Sequence, residues 1–270
     1  MCGIFRCTQY ESHCVKKKVF YEQPLNDRVR NLLRLEFLFD GITYRLKGPS
    51  AWESRDVISN LIEILDFLAR VDLKNDLIND LGHHYQALQR WQHLPKADIE
   101  RMDHLLNRTH NILIALEQMD SLAVENLMQH PLLSAVRQRN GIPGGASGSD
   151  VPIYQFWLQK NPKQRQNEVS DWLMLLESLR NGVELDLFMI RNNVVNSQES
   201  AAKGFFQSKL DAQADYQLIR VGLPAEPVFY PEINGGKHRF TIRFFEQARS
   251  DERPVATEQD VSFELYCCMI

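Results

Sequence analysis

The stretch Val136-Arg137-Gln138-Arg139-Asn140-Gly141-Ile142-Pro143-Gly144-Gly145-Ala146-Ser147-Gly148-Ser149-Asp150-Val151-Pro152 decides how the chain divides. It separates a long run of helical pattern from the part of the chain that ends in a shorter β-patterned segment. Arg137 and Arg139 stand where a helix is expected to run out at Gly141, and the helix macrodipole favours cations there. The glycines after them supply unusual dihedrals, and a flexible loop is expected. Glycine followed by Lys and Ser/Thr is missing, and no apolar strand precedes the loop, which argues against a phosphate loop or a dinucleotide fingerprint. Two guanidinium groups at a joint suit an acidic peptide from a protein partner, and no catalytic chemistry is expected of them.

Upstream of the joint the pattern is helical. Pro24 and Asn26 open a first helix, with Asn26 as N-cap and Asp27 in the first turn. Val29, Leu33 and Phe37 recur at four-residue steps as its expected inward stripe, while Arg30 and Arg34 lie four apart on another face. Further helices are expected over about 53–70, 73–93 and 98–118, broken at Asp72 and Pro95. Their stripes run through Val57, Leu61, Ile64, Leu65 and Leu68, then Leu77, Leu81, Tyr85, Leu88 and Trp91, then Ile99, Met102, Leu105, Leu106, Ile112 and Leu116. Leu73, Ile78 and Leu113 fall outside the stripes and leave room for a second interface, as in a homodimer.

Downstream, Ile153–Gln159 and a long helix over Gln166–Asn192, with Gly182 inside it, keep the 3.6-residue period. A polar link over Asn192–Ala202 is expected next. The period then changes to two: Leu218, Arg220 and Gly222 alternate with Ile219, Val221 and Leu223, and Phe240, Ile242 and Phe244 alternate with Arg239, Thr241 and Arg243. Asn234-Gly235-Gly236 turns a hairpin, and Val261–Cys267 adds a last strand. One small sheet with its apolar face toward the helices is expected, which allows Arg220, Arg239 and Arg243 to gather on its other face, with Lys237 and His238 at the hairpin tip.

The expected fold class is therefore mainly α with a small antiparallel β-sheet domain, an α+β chain of helical bundle plus β-strand domain. Residues 1–18, with three cysteines and no periodicity, read as a disordered extension. Residues 19–200 form the mainly helical domain, with its Gly-rich loop at 140–152. Residues 201–268 form the β-strand domain, and 19–23 are a candidate to pair onto the sheet.

Several function classes are disfavoured. The 270 residues carry a net charge of −4, which argues against general nucleic-acid binding. That charge is uneven: residues 19–128 hold 12 Lys+Arg against 17 Asp+Glu, whereas residues 129–245 hold 13 against 11. The middle can thus present a basic face to an acidic peptide or a phosphate. No window approaches the roughly 20 apolar residues of a membrane helix, and a cytoplasmic protein without membrane insertion is expected. Cys2, Cys7 and Cys14 at one end and Cys267 and Cys268 at the other form no disulfide framework or zinc spacing, and the last four residues make a poor prenylation box. His83, His84, His93, His104 and His110 form no tight ligand motif, so no metal or other cofactor is expected. Met1-Cys2-Gly3-Ile4-Phe5 matches the start of N-terminal-nucleophile amidotransferases, the competing enzymatic reading. The helices that follow are out of place for that fold.

Val19-Phe20-Tyr21-Glu22-Gln23-Pro24-Leu25-Asn26, Arg34-Leu35-Glu36-Phe37-Leu38, Val136-Arg137-Gln138-Arg139, Ile142-Pro143-Gly144-Gly145 and His238-Arg239-Phe240-Thr241-Ile242-Arg243-Phe244 occur in one order. Together they resemble the ZapD family of bacterial cell-division proteins, from about Val19 to Cys268. The resemblance implies a non-enzymatic homodimer in the cytoplasm at the division site. It implies binding to the C-terminal tail of FtsZ, the tubulin-like GTPase of the division ring, and bundling of FtsZ filaments. It places the partner-binding residues at Arg30, Arg137, Arg139, Arg220, Lys237, Arg239 and Arg243, with Arg34 a candidate for a buried structural pair.

Overall fold

The computed structural model describes residues 18–91, 99–225, 228–236, 238–247 and 251–269. Cys2, Cys7, Cys14, His93, Lys237 and nearly all of the expected N-terminal extension lie outside the described residues, as do the side chains of Trp91 and Ile99. The fold is α+β and its contacts divide it into two units, one holding Asn26–Asn193 and the other the segment up to Leu25 together with Val194–Met269.

The first unit is helical: α1 (Asp27–Arg45), α2 (Ala51–Leu68), α3 (Leu73–Trp91), α4 (Ile99–Glu117), α5 (Ser121–Met128), α6 (Pro131–Arg137), α7 (Pro152–Leu158), α8 (Pro162–Met174) and α9 (Glu177–Asn192). Local chemistry sets the helix starts. The Asn26 side chain accepts from the Val29 amide at 2.9 Å, and Ser50 and Glu53 form a reciprocal capping box. Prolines open α6, α7 and α8, where the missing N–H costs nothing.

Helix α9 is the spine of this unit. It packs on α1, α3 and α4 and buries Leu179, Val183, Leu185, Leu187 and Ile190. Gly182 makes the approach of α3 possible, since a Cβ there would meet Leu77 Cδ1 at 3.0 Å. The single helix expected over Gln166–Asn192 is two, interrupted at Leu175–Leu176. No Gly or Pro marks the break, so the apolar period of Leu173, Leu176 and Leu179 runs through it.

The α1 stripe also differs from expectation. Val29, Leu32, Leu35, Phe39 and Ile42 are buried, whereas Leu33 is half-buried and Phe37 is 75% exposed. Steps of four residues drift around a helix that has 3.6 per turn, which carries Phe37 away from the face that Val29 buries. Arg34 is exposed as well. Arg28, half-buried, takes the structural role instead: its guanidinium pairs with Asp80 and lies 3.4 Å from Asp186, whose other carboxylate oxygen is 3.0 Å from His84 Nε2. Asp186 is fully buried in α9, so this cluster ties α1, α3 and α9 together.

The second unit is a two-layer β-structure. Strands β1 (Lys18–Pro24), β2 (Val194–Ala201), β4 (Tyr216–Pro224) and β8 (Val261–Met269) form one antiparallel sheet in the order β1-β4-β8-β2. Strands β3 (Phe205–Lys209), β5 (Phe229–Gly235) and β6 (Arg239–Glu246) form the other in the order β3-β6-β5, and the short β7 (Val255–Ala256) also pairs with β6. Phe240, Ile242 and Phe244 of the second sheet share one core with Ile219, Val221, Phe263 and Leu265 of the first, and the Phe244 and Phe263 rings are 5.2 Å apart.

That core corrects the expectation of one sheet with its apolar face toward the helices. Period-two patterning shows that a strand has an apolar face without showing what covers it. The polar link expected over Asn192–Ala202 is in large part strand β2, an edge whose exposed positions admit Asn196, Ser197 and Gln198. The hairpin at Asn234–Gly236 and the strand over Val261–Cys267 are present, and Val19–Gln23 pairs with β4.

Cys267 and Cys268 lie inside β8, in register with Val195 and Val194 of β2, so neither sits on a free tail. Burial, aided by Glu199, pushes the Cys267 thiol up to about 11. Folded protein treated with iodoacetamide at pH 8 is therefore expected to leave Cys267 unmodified, whereas urea-unfolded protein reacts readily. Peptide mass spectrometry reads the difference, and modification at equal rates would contradict this burial.

Candidate partner-binding surface

In the helical unit, Arg30 sits in the first turn of α1, with its Nε 3.5 Å from Asp27. Arg137 closes α6, where its guanidinium pairs with Asp66 of α2. Arg139 lies beyond the helix end, exposed, and makes no ion pair among the described residues. The loop after it is a chain of turns: Ile142 N–H donates to Arg139 O at 3.0 Å, Gly145 N–H to Ile142 O at 2.8 Å, and Ser147 N–H to Gly144 O at 3.0 Å. Arg55 holds it by donating to Ala146 O at 2.8 Å. Gly144 needs its positive φ of 71°, and a Cβ on Gly145 would meet Arg139 O at 2.6 Å.

In the β unit the three expected arginines do not share a face. Arg220 lies on the outer face of the first sheet, with its Nε 2.7 Å from Glu22 Oε1, an ion pair without an aligned N–H. Its guanidinium stacks 4.4 Å over Phe20 and 5.9 Å from Tyr266. Beside it, Lys18 Nζ donates to Glu264 at 2.6 Å and Tyr266 Oη donates at 2.5 Å, which holds the Glu264 carboxyl below its ordinary range. Arg220 is thus enclosed in a row of matched charges and rings.

Arg239 and Arg243 occupy the outer face of the second sheet, on the exposed side of β6. Across from them on β3 lie Lys209 and Phe205, and Arg243 stacks 5.1 Å over the Phe205 ring. Glu232 of β5 is the residue in register with Arg243 on the other side. Among the described residues, neither Arg239, Arg243 nor Lys209 makes an ion pair. Gln207, Asn234, His238, Arg239 and Thr241 line a shallow concavity of about 630 Å³ on this unit. The uncompensated Arg239 guanidinium, with the polar side chains beside it, suits a carboxylate.

Two members of this surface were not singled out from the sequence. Lys209 and Phe205 belong to β3, whose alternation is only five residues long. The signal that could have found it is Lys203-Gly204, at φ of 51° and 67°, which turns β2 into β3 with the positive-φ pair of a tight hairpin. Among the described residues no group of three or more His, Cys, Asp or Glu side chains could hold a metal, and no helix is long and apolar enough to cross a membrane. The amidotransferase reading rests on Cys2, outside the described residues.

The sequence model of ZapD, described as a cell division protein, matches residues 33–243. The chain belongs to the ZapD family. It is 36% identical to the cell division protein ZapD of Methylococcus capsulatus, an alignment that covers 95% of this chain and 100% of the relative. It is 33% identical to ZapD of Nitrosomonas europaea, over 97% of this chain and 99% of the relative, and 34% identical to that of Nitrosomonas eutropha, over 93% and 100%. A role in cell division follows from membership of the ZapD family. The matched span includes most of α1, though not its first turns with Arg30, the Arg137–Gly145 segment, and the part of β6 that carries Arg239 and Arg243.

Proposed function

We propose that this protein is a non-enzymatic cross-linker of FtsZ filaments, acting in the cytoplasm at the division site. Its ligand is the acidic C-terminal tail of FtsZ. The observation that carries the reading is the outer face of the second sheet, where Lys209, Arg239 and Arg243 stand against the single acid Glu232 with no ion pair among them. Desolvated guanidinium–carboxylate pairs supply affinity, and the excess positive charge steers a flexible acidic segment onto the face. Arg139 and Arg30 add exposed or half-exposed cations on the helical unit, and Lys237 completes the proposed set.

Bundling needs two such faces per particle, which a two-fold dimer supplies; weak binding at each then becomes tight through effective concentration. The helical unit has apolar surface to spare for that second contact. Phe37 and Tyr44 lie two turns apart on α1 at 75% and 81% exposure, and Trp52 opens α2 at 76%. No catalytic step is part of this reading.

The test is co-sedimentation with FtsZ and GTP at low and high salt, with FtsZ lacking its tail as a parallel sample. Pelleting that requires the tail and fades between about 50 and 500 mM salt is the expected result, because surface charge pairs are screened beyond roughly a Debye length. Equal pelleting of tailless FtsZ, or none at any salt, would overturn the proposal.

A further inference from the structure

The free edge of β3 is a second feature of the basic face, and it concerns backbone rather than charge. Within the second sheet, Phe244 N–H donates to Gly204 O at 2.8 Å and Leu210 N–H donates to His238 O at 2.9 Å. In an antiparallel ladder the bonded residues alternate, so residues 204, 206, 208 and 210 face β6. The N–H groups of Gln207 and Lys209 therefore point away from the sheet, together with the carbonyls on that side. The Phe205 N–H is taken by Ala202 O at 3.1 Å, so the open part begins just after the β2–β3 turn.

The other edges of this unit do not combine these properties. On β5 the matching position is Pro231, opposite Phe244 and lacking an N–H, so that edge is blunted. Strand β2 carries Glu199 and no Lys or Arg. On β1, Lys18 is bound to Glu264 and Glu22 to Arg220. Only β3, among the described strands, pairs an open edge with uncompensated cations on its outer face. Arg243 leans across it, as its stacking over Phe205 shows. A strand added beside β3 would lie about 10 Å from β6, two strand spacings, with its outward side chains next to Phe205, Gln207 and Lys209.

We propose that an acidic peptide binds by adding as an extra antiparallel or parallel strand to β3. Its alternate acidic side chains then meet Lys209, Arg239 and Arg243, and its backbone bonds Gln207 and Lys209. This rests on the reading of the ligand as the FtsZ tail, and specifies how that tail is held. Main-chain bonds provide affinity that salt does not screen, while the cations choose acidic sequences.

The test uses the full chain, a synthetic FtsZ tail peptide and two copies of that peptide methylated on alternate backbone nitrogens, odd in one and even in the other. Strand addition predicts that one copy loses at least tenfold in affinity while the other stays within twofold, because only every second N–H faces β3. Gln207→Pro should lower affinity by a similar factor with an unchanged melting temperature, since the N–H it removes bonds nothing in the fold. If both methylated copies bind like the parent, strand addition is wrong even if charge-reversed variants lose binding. If the parent peptide does not bind at all, the FtsZ-tail reading fails as well. Should Gln207→Pro fold poorly, the peptide series still decides, because it leaves the protein unaltered.

Discussion

Replacing Arg239 with glutamate is expected to abolish FtsZ pelleting and to weaken tail binding by about 10- to 100-fold, with the fold intact. Arg239 is exposed on β6 and bonds no described side chain, so folding does not depend on its guanidinium. A hydrogen bond to a charged group is worth roughly 1.5–3 kcal/mol, and reversal adds repulsion of the incoming carboxylate. Tail affinity by fluorescence anisotropy and a thermal melt on the same sample separate the two effects. Unchanged affinity would remove Arg239 from the site. Arg137→Glu is a poorer probe of function, since it sets a carboxylate against Asp66 and disturbs the α2–α6 contact as well. Arg139→Glu avoids that problem in the helical unit, because Arg139 is exposed and unpaired among the described residues.

Asp186→Ala is expected to destabilise the helical unit by about 3–5 kcal/mol, the usual cost of breaking a buried charge pair. The carboxylate is fully buried, lies 3.0 Å from His84 Nε2 and 3.4 Å from Arg28, and its loss leaves the buried His84 without its partner, while Arg28 keeps only its pair with Asp80. For a unit of this size the melting temperature should fall by on the order of 10 °C. Asp186→Asn keeps the volume and a bond toward His84, so its loss should be clearly smaller. Calorimetry on the two variants measures the difference; a melt within 2 °C of the parent for Asp186→Ala would show that the cluster contributes nothing. Tail affinity at 15 °C should be unchanged in both, because the cluster belongs to the framework.

Much of the architecture was legible before any coordinates. Helix starts came through because capping is local: Asn26 needs only the amide three residues on. The hairpin at Asn234–Gly236 and the last strand came through because turn residues and period-two alternation are equally local. The ordered blocks around Pro24, Arg137 and Arg239 carried the family, and the full-length relatives agree with it.

What sequence could not carry was which groups meet across space. The arginines of the sheet region share residue type and periodicity, yet Arg220 is matched by Glu22 and the rings of Phe20 and Tyr266, while Arg239 and Arg243 lie on a different sheet with their charge unspent. Strand pairing sets that difference: β4 joins β1 and β8, whereas β6 joins β3 and β5. In the same way Arg28, a residue with no local distinction, became a partner of the buried Asp186, 158 positions away, and Arg34 stayed at the surface. The sequence by itself determined the helix and strand segments, the turns and the family, because those depend on neighbours within a few residues. The tertiary structure alone decided which cations are neutralised, which strand edge is open and which apolar face meets which, because each depends on residues that only folding brings together.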